Sequence, residues 1–261
     1  MLRTEQCVRE AGLDAVALKP AECDVRQATE LSLPSVVIDY EGRAHLPDRE
    51  TLSDLAGSLD LRITTPVRAD GFDPLGPADL VDRIPEDARR VLVAGHPAYL
   101  TEDERTKAIA PRLGTAIGEA PDSWVGTEGI ERLALATGAT QFELLSRTTE
   151  RDVRGVRAAG FDGEIAVYAP TVIAEDLDTV LDAVGGYVSR RGPVARALPD
   201  GAATDGSTTG RAREVLAAAS GDYALCGTET EIRARVDRLR EAGVDTIVGY
   251  PARGIEAFIA K

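Results

Sequence analysis

Lys19 and Asp39 are among the polar side chains of this sequence that could do chemistry, because each stands at the end of a short apolar run. Lys19 follows DAVAL, Asp14 to Leu18, and Asp39 closes SVVID, Ser35 to Asp39. Lys19 is one of only three lysines, and an amine half buried at a strand end can have a lowered pKa and act as a base or a Schiff-base nucleophile. The competing reading is an ion pair between Lys19 and Asp39 on neighbouring runs. His96 is one of two histidines with His45, and two histidines alone define no metal site, so a structural role or a hydrogen bond to a cofactor is favoured over ligation.

Other chemistries find less support. Cys7, Cys23 and Cys226 are odd in number and lack metal-ligand spacing, so they read as buried or half-buried thiols, and no metal is expected. No nucleophile elbow and no carboxylate pair at glycosidase spacing occurs, which leaves hydrolase chemistry unsupported. A further signal lies in TETEIRARVDRLREAG, where Thr228 and Glu231 stand three apart as a capping box and Gly243 follows as a stop. The helix start at Gly227 and Thr228 could hold an anion on its backbone N–H groups. A well-capped helix and nothing more explains it equally well.

The elements that must position these residues are legible as eight runs. They are 14–18, 35–39, 61–65 (LRITT), 90–94 (RVLVA), 123–126 (SWVG), 140–145 (TQFELL), 164–168 (EIAVY) and 246–250 (TIVGY), of which SWVG is the shortest. Between them, apolar residues recurring at three and four positions predict helices near 4–11, 25–31, 49–58, 77–84, 101–118, 130–137, 150–159, 174–190 and 211–218. Alternating strands and helices over about 250 residues predict a (β/α)8 TIM barrel in one domain, 1–261. The rival is a doubly wound sheet, which would carry a Gly-rich loop after its first strand, where this chain reads KPAECD. The turn-rich stretch from Pro199 to Gly210 is expected to be mobile.

A barrel gathers functional groups at the C-terminal ends of its strands. Those ends carry Lys19, Asp39 with Tyr40, Thr65, His96, Thr127 with Glu128, Ser146 with Arg147, Tyr168 and Tyr250. Composition narrows the partners. The formal net charge of −14 repels nucleic acid and anionic membranes, no apolar run is long enough to span a bilayer, and the N-terminus lacks a secretory core, so a cytoplasmic location is expected. The scarcity of lysine among 30 basic residues fits proteins of halophilic archaea, or a genome rich in Arg and Ala codons.

CGTETEIRARVDRLREAGVDTIVGYPARG, Cys226 to Gly254, resembles the C-terminal part of the luciferase-like barrel family, closest to deazaflavin-dependent members such as methylenetetrahydromethanopterin reductase. LRITTPV, RVLVAGHP and SWVGTEGIERLALATGATQFELLS resemble the family's third, fourth and fifth to sixth strands in the same order. The resemblance implies a luciferase-like barrel with reduced insertions that transfers a hydride between a deazaflavin coenzyme of the F-420 type, with FMN as second choice, and a small carbonyl or one-carbon pterin substrate. It implies Asp39 as proton donor or ring-orienting acid, Thr65 and His96 against the ring, Gly227 and Thr228 against a phosphate, and a homodimer. The departures are Lys19 where the family has an acid, and Gly95-His96-Pro97-Ala98-Tyr99 where it has a Gly-rich turn with an acid. They motivate the alternative of a cofactor-free barrel that binds or assembles with a partner. Schiff-base chemistry at Lys19 is a third reading.

Overall fold

The computed structural model describes residues 7–69, 73–96 and 100–259. Its strands are β1 (Ala15–Leu18), β2 (Ser35–Ile38), β3 (Asp60–Pro66), β4 (Arg89–Val93), β5 (Trp124–Gly126), β6 (Thr140–Leu144), β7 (Ile165–Ile173), β8 (Leu225–Gly227) and β9 (Thr246–Pro251). The helices are α1 (Cys7–Glu10), α2 (Arg49–Ala56), α3 (Ala78–Val81), α4 (Glu102–Arg105), α5 (Ile109–Glu119), α6 (Glu131–Ala136), α7 (Thr149–Ala158), α8 (Leu177–Ser189), α9 (Gly192–Ala197), α10 (Gly210–Tyr223), α11 (Glu229–Ala242) and α12 (Glu256–Ile259), with a 3-10 turn over Val25–Glu30.

β1 to β7 pair in sequence order, and β9 lies between β7 and β1, so eight parallel strands close into a ring. These are the eight runs read from the sequence, SWVG included. The fold is a TIM barrel. A ninth strand absent from the eight runs, β8, adds to the far end of β7 through Thr171 to Ile173. It is only three residues long and follows α10 without a turn, so no apolar run sets it apart.

Period-two alternation divides the core. Ala15, Ala17, Val37, Val91, Trp124, Phe142, Ala166 and Val248 fill the barrel, while Val16, Leu18, Val36, Ile38, Leu61 and Ile63 pack outward against the helices. Arg62 also points inward, its guanidinium 4.0 Å from the Trp124 ring centre and paired with Asp60 at 3.1 Å.

One expectation about helices changes. The helix predicted over 101–118 is two, because buried Glu104 closes a capping box with Thr101 and also accepts the Ala69 N–H at 3.1 Å, which ends α4 in the service of the loop after β3. The stretch 199–210 lies against α8. Asp182 accepts the Gly206 N–H at 2.8 Å, Arg213 pairs with Asp178 at 2.5 Å, and a Cβ on Gly185 would lie 2.0 Å from the Thr204 carbonyl oxygen. Only glycine at 185 admits so close an approach.

Candidate functional site

A cavity of about 510 Å³ opens at the C-terminal end of the barrel, within the size range of small-molecule sites. Val93, Phe142, Leu144 and Tyr168 give it an apolar wall, and Gly126 leaves a stretch of wall without a side chain. Lys19, Asp39, Thr64, His96 and Glu128 supply polar groups from five strand ends and the loops that follow them. The helices inserted after β7 supply the rest: the end of α8 brings Tyr187, Arg190 and Arg191 to the same cavity.

Lys19 and Asp39 follow paired residues of adjacent strands, Leu18 and Ile38, and both line the cavity. They do not form the ion pair that their adjacency predicts. Lys19 Nζ instead lies 3.4 Å from Glu22 Oε1 and 4.6 Å from the ring centre of Tyr250, whose hydroxyl donates to Glu22 Oε2. Lys19 is therefore engaged as a cation, which gives the Schiff-base reading no support. Among the described residues the Asp39 carboxylate has no hydrogen bond and no ion pair. Burial pushes its pKa up to about 7; Lys19 acts in the opposite sense, and Glu41 and Glu22 add to the rise. A carboxyl of this kind holds a proton near neutral pH and can release it.

On the far side, His96 Nε2 lies 3.8 Å from Glu128 Oε2, and Arg191 lies 3.6 Å from Glu128 Oε1 while donating to the Tyr187 hydroxyl. Gly95 makes this approach possible, since a Cβ there would stand 2.3 Å from the Glu128 carbonyl oxygen. Arg190 is exposed at the rim and, among the described residues, makes no ion pair.

Three sequence-based assignments are corrected. Thr65 is fully buried on the outer face of β3, donating to the Ile63 carbonyl at 3.1 Å and accepting from Arg90 at 3.4 Å, so it does not reach the cavity. Thr64 faces inward in its place, and the alternation of LRITT, with Leu61, Ile63 and Thr65 on one face, carried that signal. Gly227 and Thr228 do not line the mouth cavity either. Their helix start is filled by the chain's own Glu231, whose Oε2 accepts the Thr228 N–H at 2.8 Å and its hydroxyl at 2.9 Å. The plain capping box is the reading that holds.

Glu22, Thr64, Tyr187, Arg190 and Arg191 were not singled out from sequence. Lysine and arginine near a helix C-terminus are ordinary partners of the helix dipole, so Arg190 and Arg191 carried no distinguishing mark. Cys23 and Cys226 are free and half-buried, with burial pushing their thiols up to about 11 and about 12. The Cys7 side chain and Pro97 to Tyr99 lie outside the described residues. No described helix is long and apolar enough to cross a membrane, and no cluster of three or more metal-ligating side chains occurs among the described residues.

A closed parallel barrel with an apolar wall, a protonatable carboxyl and cations at its mouth defines the class as a TIM barrel with a cavity of small-molecule size. Among the solved structures that share this fold are two F420-dependent enzymes. One is the coenzyme F420 dependent tetrahydromethanopterin reductase from Methanopyrus kandleri, with TM-score 0.56 and 14% identity over 94% of this chain and 96% of that one. The other is an F420-dependent secondary alcohol dehydrogenase in complex with an F420-acetone adduct, with TM-score 0.57 and 14% identity over 94% and 95%. No curated protein matches the sequence. The chain belongs to the DUF7388 family, a family of unknown function, which it matches over residues 8–258.

The mouth suits a flat ring with an anionic tail. The apolar wall and the open space at Gly126 can take a ring face, and the Lys19, Arg190 and Arg191 cations at the same cavity match negative charge on a tail.

Proposed function

We propose that this protein is an oxidoreductase that moves a hydride between a reduced deazaflavin and a small carbonyl or one-carbon pterin substrate. The observation that carries the proposal is Asp39, a carboxyl without a hydrogen bond or ion pair among the described residues and with its pKa raised to about 7, in the wall of a cavity whose other carboxylate, Glu128, is already paired. A bound deazaflavin supplies the hydride. The protein's part is to bind, orient and move a proton. A carbonyl that gains a hydride at carbon needs a proton at oxygen, and protonated Asp39 is the donor; solvent restores its proton afterwards. Val93, Phe142, Leu144 and Tyr168 hold the ring and exclude water, while Arg190 and Arg191 bind the anionic tail. FMN is the second choice of cofactor.

Fluorescence titration of the purified protein with deazaflavin coenzyme in high salt tests this. Binding at or below the order of tens of micromolar is the expected result, and no binding at that level overturns it. One observation favours a second reading. The helix start expected to take a phosphate is occupied by Glu231, as in a barrel that has given up its cofactor and binds a partner instead. Protein from its own host that shows no absorption beyond the protein band, together with failed titration, decides for that alternative.

A further inference from the structure

Side chains at adjacent positions on paired parallel strands, one a lysine and one an aspartate, ordinarily pair across the gap. The strand register and the Asp39 N–H bond to the Leu18 carbonyl at 2.8 Å put Lys19 and Asp39 in that relation. The ammonium nevertheless lies on the other side, held by three contacts that converge. Glu22 Oε1 accepts from Lys19 at 3.4 Å, the Tyr250 ring sits under the ammonium at 4.6 Å, and the Tyr250 hydroxyl donates to Glu22 Oε2. One carboxylate thus ties the lysine of β1 to the tyrosine of β9, across the join where the barrel closes.

We propose that Glu22 is a positioning residue which, with Tyr250, holds Lys19 away from Asp39 and so keeps Asp39 available as a proton donor. The inference rests on the function proposed above for Asp39, but the arrangement it describes exists in the cofactor-free protein. The charged and titratable groups around Asp39 are Lys19 and Glu22 from the loop after β1, Glu41 after β2 and Tyr250 from β9. His96, Glu128, Arg190 and Arg191 stand across the cavity. Of these, Lys19 alone is a cation within reach on a neighbouring strand. When Glu22 loses its charge, the ammonium loses its ion-pair partner, and the nearest carboxylate along the strand register is Asp39.

Glu22 also acts on Asp39 directly through its own negative charge, so the test must separate release of Lys19 from loss of a repulsive field. A double-mutant cycle does so. The Asp39 carboxyl is followed by carbon-13 NMR against pH in cofactor-free protein carrying Glu22→Gln, Lys19→Met, both, or neither. The expected result is that Glu22→Gln lowers the Asp39 titration midpoint by about 1 to 3 pH units when Lys19 is present, as a cation brought to within ion-pair range would. In the Lys19→Met background the same substitution has at most a small effect. Equal shifts in both backgrounds, or no shift with Lys19 present, overturn the proposal. Tyr250→Phe, which keeps the ring and removes the hydroxyl, is the second variant, and a smaller fall of the midpoint is expected from it. Failure of deazaflavin binding would count against the proposed function while leaving this cycle readable; an unmoved midpoint in a protein that binds the coenzyme would count against Glu22 alone.

Discussion

The two ends of the barrel treat the aspartates at their strand ends in opposite ways. At the N-terminal end each strand-opening aspartate is tied down. Asp14 accepts the Ile247 N–H at 2.7 Å and pairs with Arg240 at 2.8 Å, Asp245 accepts the Ile165 N–H at 2.8 Å and pairs with Arg157 at 2.6 Å, and Asp60 pairs with Arg62 at 3.1 Å and Arg89 at 3.3 Å. These contacts join neighbouring strands or brace a strand against the helix outside it. At the C-terminal end Asp39 has no such partner among the described residues, and the lysine beside it is held elsewhere. One end uses its charges to fix the register of the ring, and the other keeps a charge in reserve, which is the division of labour expected of a barrel that works at its C-terminal mouth.

The sharpest way to break this comparison is Asp39→Asn. Under the proposed function it lowers turnover by about 10² or more, the loss expected when a positioned proton donor is removed. Its effect on stability has a definite sign. The folded state binds the Asp39 proton more tightly than the unfolded chain, whose carboxyl has the ordinary value near about 4. Stability from this group is therefore full below about pH 4 and lost as the pH rises through about 7. The asparagine variant escapes that loss, so thermal melts at pH 8 are expected to give it a Tm higher than wild type by about 2 °C or more, with no difference in acid. A lower Tm at pH 8 would mean that Asp39 is in an ion pair after all.

Arg190→Gln comes next. Removing a rim cation that makes no ion pair among the described residues should weaken deazaflavin binding about tenfold, as loss of one charge-assisted contact does, and the gap should narrow as salt is raised. Tm should not move, because nothing in the fold depends on that charge. Unchanged affinity at low salt would remove Arg190 from the site.

The smallest effect belongs to the other end. Asp245→Asn should cost about 1 to 2 kcal/mol in denaturant unfolding through its contacts to Arg157 and the Ile165 N–H, and should leave coenzyme affinity as it was. An affinity loss larger than the stability loss would show that the two ends are coupled rather than separate.

What the sequence revealed follows the same division. All eight ring strands were legible because a strand buried on both faces leaves a dense apolar run, and α11 was legible from its cap and its stop. The site was legible only as far as strand ends go, which brought out Lys19, Asp39, His96, Glu128, Tyr168 and Tyr250. Thr65 in place of Thr64 was an error of one residue in a two-residue period. The relation of Lys19 to Asp39 could not be read at all, since it turns on Glu22 in a loop and on a tyrosine 228 positions from it. Likewise nothing local in GYVSRRG shows that the end of α8 overhangs the mouth.

The position of β9 between β7 and β1 has a consequence for how the chain is made. Until Thr246 to Pro251 have been synthesised, the first seven strands can form only an open sheet, with the N–H and C=O groups of β1 and β7 unpaired at its two edges. β8 covers β7 only from Thr171 to Ile173, leaving Ala166 to Pro170 waiting for the last strand. At ribosomal speed the stretch between the end of β7 and the start of β9 takes on the order of ten seconds to emerge. For that interval the nascent barrel carries two parallel-strand templates that another chain could occupy, and closure of the ring is what retires both at once.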